Sequence, residues 1–162
     1  MTLQLRRDTT TNLATFRRQL VWPGHPDRYR ASVATRCIWA PAGRRYWLLL
    51  ADFLAAGAGR SLLIAERIYP GGLRRYQLAG HVQLIQRGPV LEIAELILWP
   101  AHRGRGVGTV LLGAVIALAR EQGSRSVDAH IVAQEGRDPD RLRAWYGRQG
   151  FAVDEDWGRL RL

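Results

Sequence analysis

The chain has 162 residues and a 47% hydrophobic fraction, enough to bury a full core as one domain without metal or disulfide support. Its formal charge is +10, and every one of its 24 basic residues is arginine. A single cysteine, Cys37, excludes an intrachain disulfide, and no His/Cys spacing suits zinc.

The charge is unevenly spread. Residues 1–89 hold fourteen arginines against four acids, whereas residues 90–162 balance ten against ten. An acidic protein or RNA could therefore dock on the first half, although the Arg-Arg pairs are scattered and no RNA-binding signature is present. The N-terminus lacks the apolar core of a signal peptide, and the longest apolar stretch, Val107 to Ala119, is too short to cross a bilayer. These features predict a cytoplasmic protein.

In chain order, Leu3–Arg7 alternates like a strand. Asp8 and Thr9 to Thr11 offer N-cap oxygens for a helix reaching about Leu20. Residues 21–42 hold three prolines and read as irregular, with some helix near Ala31–Thr35. Arg45–Ala56 reads as a helix stopped by Gly57 and Gly59. Ser61–Ile68 and Gln77–Gln86 then form a hairpin, and Leu91–Leu98 a third strand ended by Pro100. Thr109–Gln122 is a helix apolar on nearly every face, which must be buried. Ser126–Val132 follows as a parallel strand. A last helix opens at Asp138-Pro139-Asp140 and ends at Gly150; strands Phe151–Asp154 and Trp157–Leu162 close the chain. The expected fold is α/β, a single domain over 1–162 with a mixed, mostly antiparallel sheet and helices on both faces.

Gly104, Gly106 and Gly108 lie between a strand and a helix N-terminus. Glycines let main-chain N–H groups approach a ligand, and the helix end adds about half a positive charge. Arg103 and Arg105 add two more, so the loop is suited to an anion such as a pyrophosphate. A P-loop requires a lysine, which this chain lacks, and the spacing fails the GxGxxG fingerprint.

The segment Arg103-Gly-Arg-Gly106-Val-Gly108 matches the Arg/Gln-x-x-Gly-x-Gly/Ala signature and thereby resembles the GNAT acetyltransferase family. Glu95-Leu-Ile-Leu98-Trp-Pro100 resembles that family's strand 4 ending, and Ala144-Trp-Tyr146-Gly-Arg-Gln-Gly150-Phe151 its "fYxxxGF" segment. The element order agrees over nearly the whole chain. The resemblance implies the acyl-CoA N-acyltransferase fold, with residues 1–89 on the acceptor side and 90–162 binding CoA. It also implies an enzyme that moves an acetyl group from acetyl-CoA, as co-substrate without metal, to a primary amine by direct transfer in a ternary complex. The alternatives are a CoA-binding or regulatory module without turnover, and an acetyltransferase acting on an RNA-bound or ribosomal target. A homodimer is compatible with either.

By the same resemblance, Arg103, Gly104, Arg105, Gly106, Val107, Gly108 and Thr109 would hold the CoA pyrophosphate. Main-chain groups of Leu96, Ile97 and Leu98 would pair with the pantetheine arm, where the family's strand 4 splays from strand 5. Two departures stand out. Pro139 occupies the position of a frequent cofactor-contacting asparagine, and the stretch from Gly123 to Tyr146 is longer than usual, with an enlarged loop at Ala133–Arg137.

Direct transfer needs a neutral amine, which at pH 7 is about one molecule in 2,500 of an alkyl amine, a cost of roughly 4.6 kcal/mol. Glu95 is the first choice as proton acceptor, with Glu92, His81 and His130 as further candidates. His102 borders the loop. Tyr146 matches the family's general acid toward the departing thiolate. Trp22, Trp47 and Phe53 are aromatic residues available to an acceptor pocket, and none is assigned to it.

Overall fold

The structure is a computed structural model that describes residues 6–7, 20–21, 29–30, 35–39, 45–53, 59–69, 71, 73, 75–133 and 138–162. The strands are β1 (Arg6–Arg7), β2 (Leu20–Val21), β3 (Tyr29–Arg30), β4 (Thr35–Trp39), β5 (Arg45–Phe53), β6 (Gly59–Ile68), β7 (Arg75–Arg87), β8 (Val90–Leu98), β9 (Ser126–His130), β10 (Ala152–Asp154) and β11 (Trp157–Arg161). Helix α1 spans Val107–Glu121 and α2 spans Pro139–Arg148. One sheet runs in the order β1-β4-β5-β6-β7-β8-β9-β11-β10, with β2 against β7 and β3 against β5. Among the described residues only β2–β7 and β8–β9 pair in parallel. The fold is α/β, mixed and mostly antiparallel.

From β6 onward the elements follow the sequence pattern to within about two residues. Between residues 20 and 53 they do not. Arg45–Ala56, expected as a helix, contributes β5 between β4 and β6. Tyr46 and Leu48 point to one face and Trp47 to the other, and all three are buried. A strand buried on both faces loses its alternation, so its leucine run imitates a helix. Thr35, placed at the end of a short helix by the sequence, instead opens β4, whose β-branched and aromatic residues favour extended backbone. Leu20–Val21 and Tyr29–Arg30 are likewise strands. The helix expected from Asp8 toward Leu20 lies outside the described residues, as do 134–137 of the expected enlarged loop.

Both described helices pack on the same face of the sheet. Leu48, Leu62, Ile64, Val82, Leu84, Leu91 and Ile93 meet Val107, Leu111, Leu112, Val115 and Ala119 of α1. Tyr146 of α2 and Phe151 join that cluster. Deleting any of the fully buried leucines would cost about 2–5 kcal/mol. The opposite face carries a second buried group, with Trp47 against Tyr76 at 5.5 Å between ring centres. No described helix is long and apolar enough to cross a membrane. Among the described residues no cluster of His, Cys, Asp and Glu could hold a metal ion.

Two interruptions in the ladder position the site. Between β6 and β7 the register shifts at Ile64/Ala65, leaving Ala79 as the extra residue. Between β7 and β8, Leu84 opposes Ile93 and Gln83 opposes Glu95, leaving Ala94 as the extra residue. Such a bulge reverses the phase of the strand beyond it. Leu91 and Ile93 therefore face the helices, and so do Leu96 and Leu98, while Glu95 and Ile97 point to the opposite face.

Candidate functional site: the gap between two parallel strands

β8 and β9 pair only from Val90/Ser126 to Ile93/Ala129. Past the Ala94 bulge, β8 continues to Leu98 beside β7 alone, and the edge toward β9 opens. Trp99 N–H donates to the Ala79 carbonyl at 2.9 Å, so main-chain groups of Trp99 point to β7. Alternation then directs those of Leu98 and Leu96 toward the gap, and those of Ile97 back to β7. The Leu98 carbonyl already accepts a hydrogen bond from Arg103 Nε at 2.6 Å. Leu96 and Leu98 thus face the gap and Ile97 does not.

The closeness of β7 to β8 at this end depends on Gly80. A Cβ there would lie 2.3 Å from the Ile97 carbonyl oxygen and 2.6 Å from Leu98 Cδ2. Nothing in the sequence pattern singled it out.

Residues 103–106 make a turn in which Gly104 and Gly106 have φ of +68° and +75°. Side chains are strained in that region, which accounts for glycine at both positions. Gly106 is the N-cap of α1 and its carbonyl accepts from Val110 N–H at 3.1 Å. The first N–H groups of α1, at Val107, Gly108 and Thr109, have no partner within the helix. Gly108 serves packing: its Cβ would meet Leu98 Cδ1 at 3.2 Å and the Trp145 ring at 3.4 Å. Its bare Cα lets the start of α1, the end of β8 and α2 converge. Arg105 is exposed on the loop, while Arg103 is tied to the strand end. His102 is 3% exposed, with Nδ1 3.6 Å from Glu66 Oε2 and its ring against Tyr46, and so anchors the turn rather than facing the gap.

On the opposite face, His81 Nε2 lies 3.0 Å from Glu95 Oε2. The Glu95 side chain is 44% exposed, so a carboxylate oriented by an imidazole stands open at the rim of the gap. Trp99 closes on the His81 ring edge-on at 5.7 Å. The other base candidates are engaged elsewhere: Glu92 pairs with Arg87, and His130 stacks on Trp157 at 4.8 Å. Trp47 is core. The side chains of Trp22 and Phe53 lie outside the described residues.

Tyr146 projects from α2, with its ring edge-on to Trp145 at 4.8 Å and to Phe151 at 5.3 Å. Burial pushes its phenol up to about 12. The aromatic packing fixes the ring, and the shift keeps the hydroxyl protonated, so it is a hydrogen-bond donor throughout the physiological range.

The sequence matches the model of the Acetyltransferase (GNAT) family over residues 20–151. The chain belongs to the GNAT acetyltransferase family. That match runs from β2 through the strand gap and the glycine turn to Phe151. No curated relative matches the sequence.

Solved structures show the same fold at low identity. A GNAT-family protein from Desulfovibrio desulfuricans superposes with TM-score 0.52 at 19% identity, covering 67% of this chain and 71% of that one. An acyl-CoA N-acyltransferase-type protein from Klebsiella pneumoniae gives 0.52 at 18%, covering 68% and 79%. A cAMP-binding acyltransferase from Mycobacterium smegmatis gives 0.56 at 12%, covering 78% of this chain and 47% of that one.

Proposed function

We propose that this GNAT protein transfers an acyl group, acetyl in the first instance, from acyl-CoA to a primary amine by direct attack. The observation that carries the reading is the run of three features along one gap. A left-handed glycine turn caps a helix N-terminus, the main chain of Leu96 and Leu98 faces the gap, and Glu95 stands oriented by His81 at its rim.

The donors fit the co-substrate. The N–H groups at the start of α1, with Arg105, suit a pyrophosphate, and a strand edge suits an amide-bearing arm. Bound acyl-CoA supplies an activated acyl carbon; the bond from nitrogen to that carbon forms as the carbon–sulfur bond breaks, and the second proton that nitrogen sheds goes to the departing thiolate. Glu95 passes the proton of the incoming ammonium on to solvent, and His81 holds the carboxylate in place. Tyr146 donates a hydrogen bond to the departing thiolate. Full proton transfer from a phenol at about 12 to a thiolate near 8.5 would cost roughly 5 kcal/mol, so a hydrogen bond is the feasible role.

The test is labelled acetyl-CoA incubated with a panel of amines, peptides and tRNAs, alongside calorimetric titration of CoA. Label on an amine, with CoA affinity lost in Gly106→Asp, supports the reading. No affinity for CoA would overturn it. CoA binding without transfer to any acceptor would favour a regulatory module.

A further inference from the structure

The face that carries Glu95 continues past the gap onto β9, β11 and β10. There one register line is Asp154 opposite Trp157 and Trp157 opposite His130. Directly opposed residues in antiparallel strands put their side chains side by side on one face. Ala129 and Ile131, which flank His130, belong to the helix-face core, so this line lies on the other face, with Glu95.

Trp157 stacks on His130 with ring planes 24° apart, yet remains 49% exposed. A large ring left half in water within a paired strand does little for the core, and it offers a flat surface to a ligand. The neighbouring line differs. Arg159 grips Asp128 through Nε at 2.9 Å and Nη2 at 2.5 Å, and Arg87 pairs with Glu92. Each acid there has its arginine. In the Trp157 line Asp154 has no cationic partner among the described residues, in a chain rich in arginine.

The platform is also rigid. The turn before Trp157 is held by Arg143, through Nη2 to Asp156 at 2.7 Å and Nε to the Glu155 carbonyl at 2.8 Å. Ile131 N–H donates to the Asp156 carbonyl at 2.6 Å, which ties the turn to the end of β9. A surface fixed before binding loses less entropy when a ligand arrives.

We propose that Asp154, Trp157 and His130 form the distal half of the acceptor site and take the second ammonium group of a linear di- or polyamine whose reacting amine lies at Glu95. This rests on the transferase reading above. The exposed indole supplies a cation–π surface and Asp154 a carboxylate. Two strand spacings separate Asp154 from His130, and Glu95 lies across one further, widening interval, so the two carboxylates are about 15 Å apart. A monoamine reaches one of them, whereas an extended diamine reaches both.

The experiment is calorimetric titration of diaminooctane and of octylamine into the protein, with and without saturating CoA. It is done for the wild type and for Trp157→Ala, Trp157→Phe and Asp154→Asn. The expected result is diamine affinity about tenfold above that of the monoamine. Trp157→Ala and Asp154→Asn bring the ratio near one, and Trp157→Phe retains most of it; unchanged CoA affinity certifies the fold of each variant. Equal affinity of the two amines in the wild type, or a ratio unmoved in Trp157→Ala and Asp154→Asn, overturns the proposal. Loss of the transferase reading would appear separately, as selective diamine binding with no labelled product.

Discussion

His81 Nε2 and Glu95 Oε2 approach to 3.0 Å although the residues stand on different strands and are not directly opposed. The contact exists because the Ala94 bulge moves Glu95 onto the His81 face. Without it, Glu95 would point at α1 and not toward His81. The bulge that follows the last β8–β9 pair is thus the same feature that aims the proposed proton acceptor.

Glu95→Gln keeps the shape and removes the basicity. The expected outcome is a fall in kcat of about 10²-fold with CoA affinity unchanged. His81→Ala leaves the carboxylate but frees it, and a smaller loss, about tenfold, is expected. Steady-state kinetics with calorimetry of CoA check both. A Glu95→Gln variant with wild-type turnover would remove Glu95 from the mechanism.

Tyr146→Phe is expected to lower kcat by about 10²-fold and leave CoA binding intact. The phenol also makes a pH prediction. Its folded value, about 12, lies above the ordinary 10, because burial disfavours the phenolate. The group therefore contributes stability that is fully present below pH 10 and is lost as pH rises toward 12, about 3 kcal/mol in all. In the difference between wild-type and Tyr146→Phe ultraviolet titrations, one phenol should ionise near pH 12. Ionisation near 10 would contradict the buried environment.

Gly106→Asp places a carboxylate at a left-handed N-cap facing the expected pyrophosphate. CoA affinity should fall by 100-fold or more, while thermal unfolding moves only slightly, since aspartate is among the better-tolerated residues at positive φ. Retained affinity would sink the loop assignment.

Gly80→Ala tests the strand geometry. With the Ile97 carbonyl 2.3 Å from the added carbon, β7 and β8 must separate where His81 and Leu98 are carried. A loss of about 2 kcal/mol or more in denaturant unfolding is expected, with reduced turnover. Normal stability would show that the two strands yield more easily than their contacts imply.

The platform and the bulge differ in how far they could be read in advance. The apolar positions of β8 are Leu91 and Ile93, then Leu96 and Leu98. The step of three between Ile93 and Leu96 breaks the strand period and was a legible sign of the bulge. Nothing local marked Trp157 as a partner of His130, because their pairing spans a helix and two turns.

The amino-acid order alone determined the elements from Ser61 onward, the glycine turn before a buried helix, and the family to which they point. Those are local properties, set by backbone freedom, capping and apolar period, and they lie within short windows of chain. Tertiary structure alone decided that Arg45–Phe53 is a central strand, that Glu95 turns toward His81, that Ile97 turns from the gap, and that Asp154, Trp157 and His130 share one line. Each of these depends on which strand lies beside which and in what register, and burial on both faces or one extra residue reverses what a local pattern would dictate.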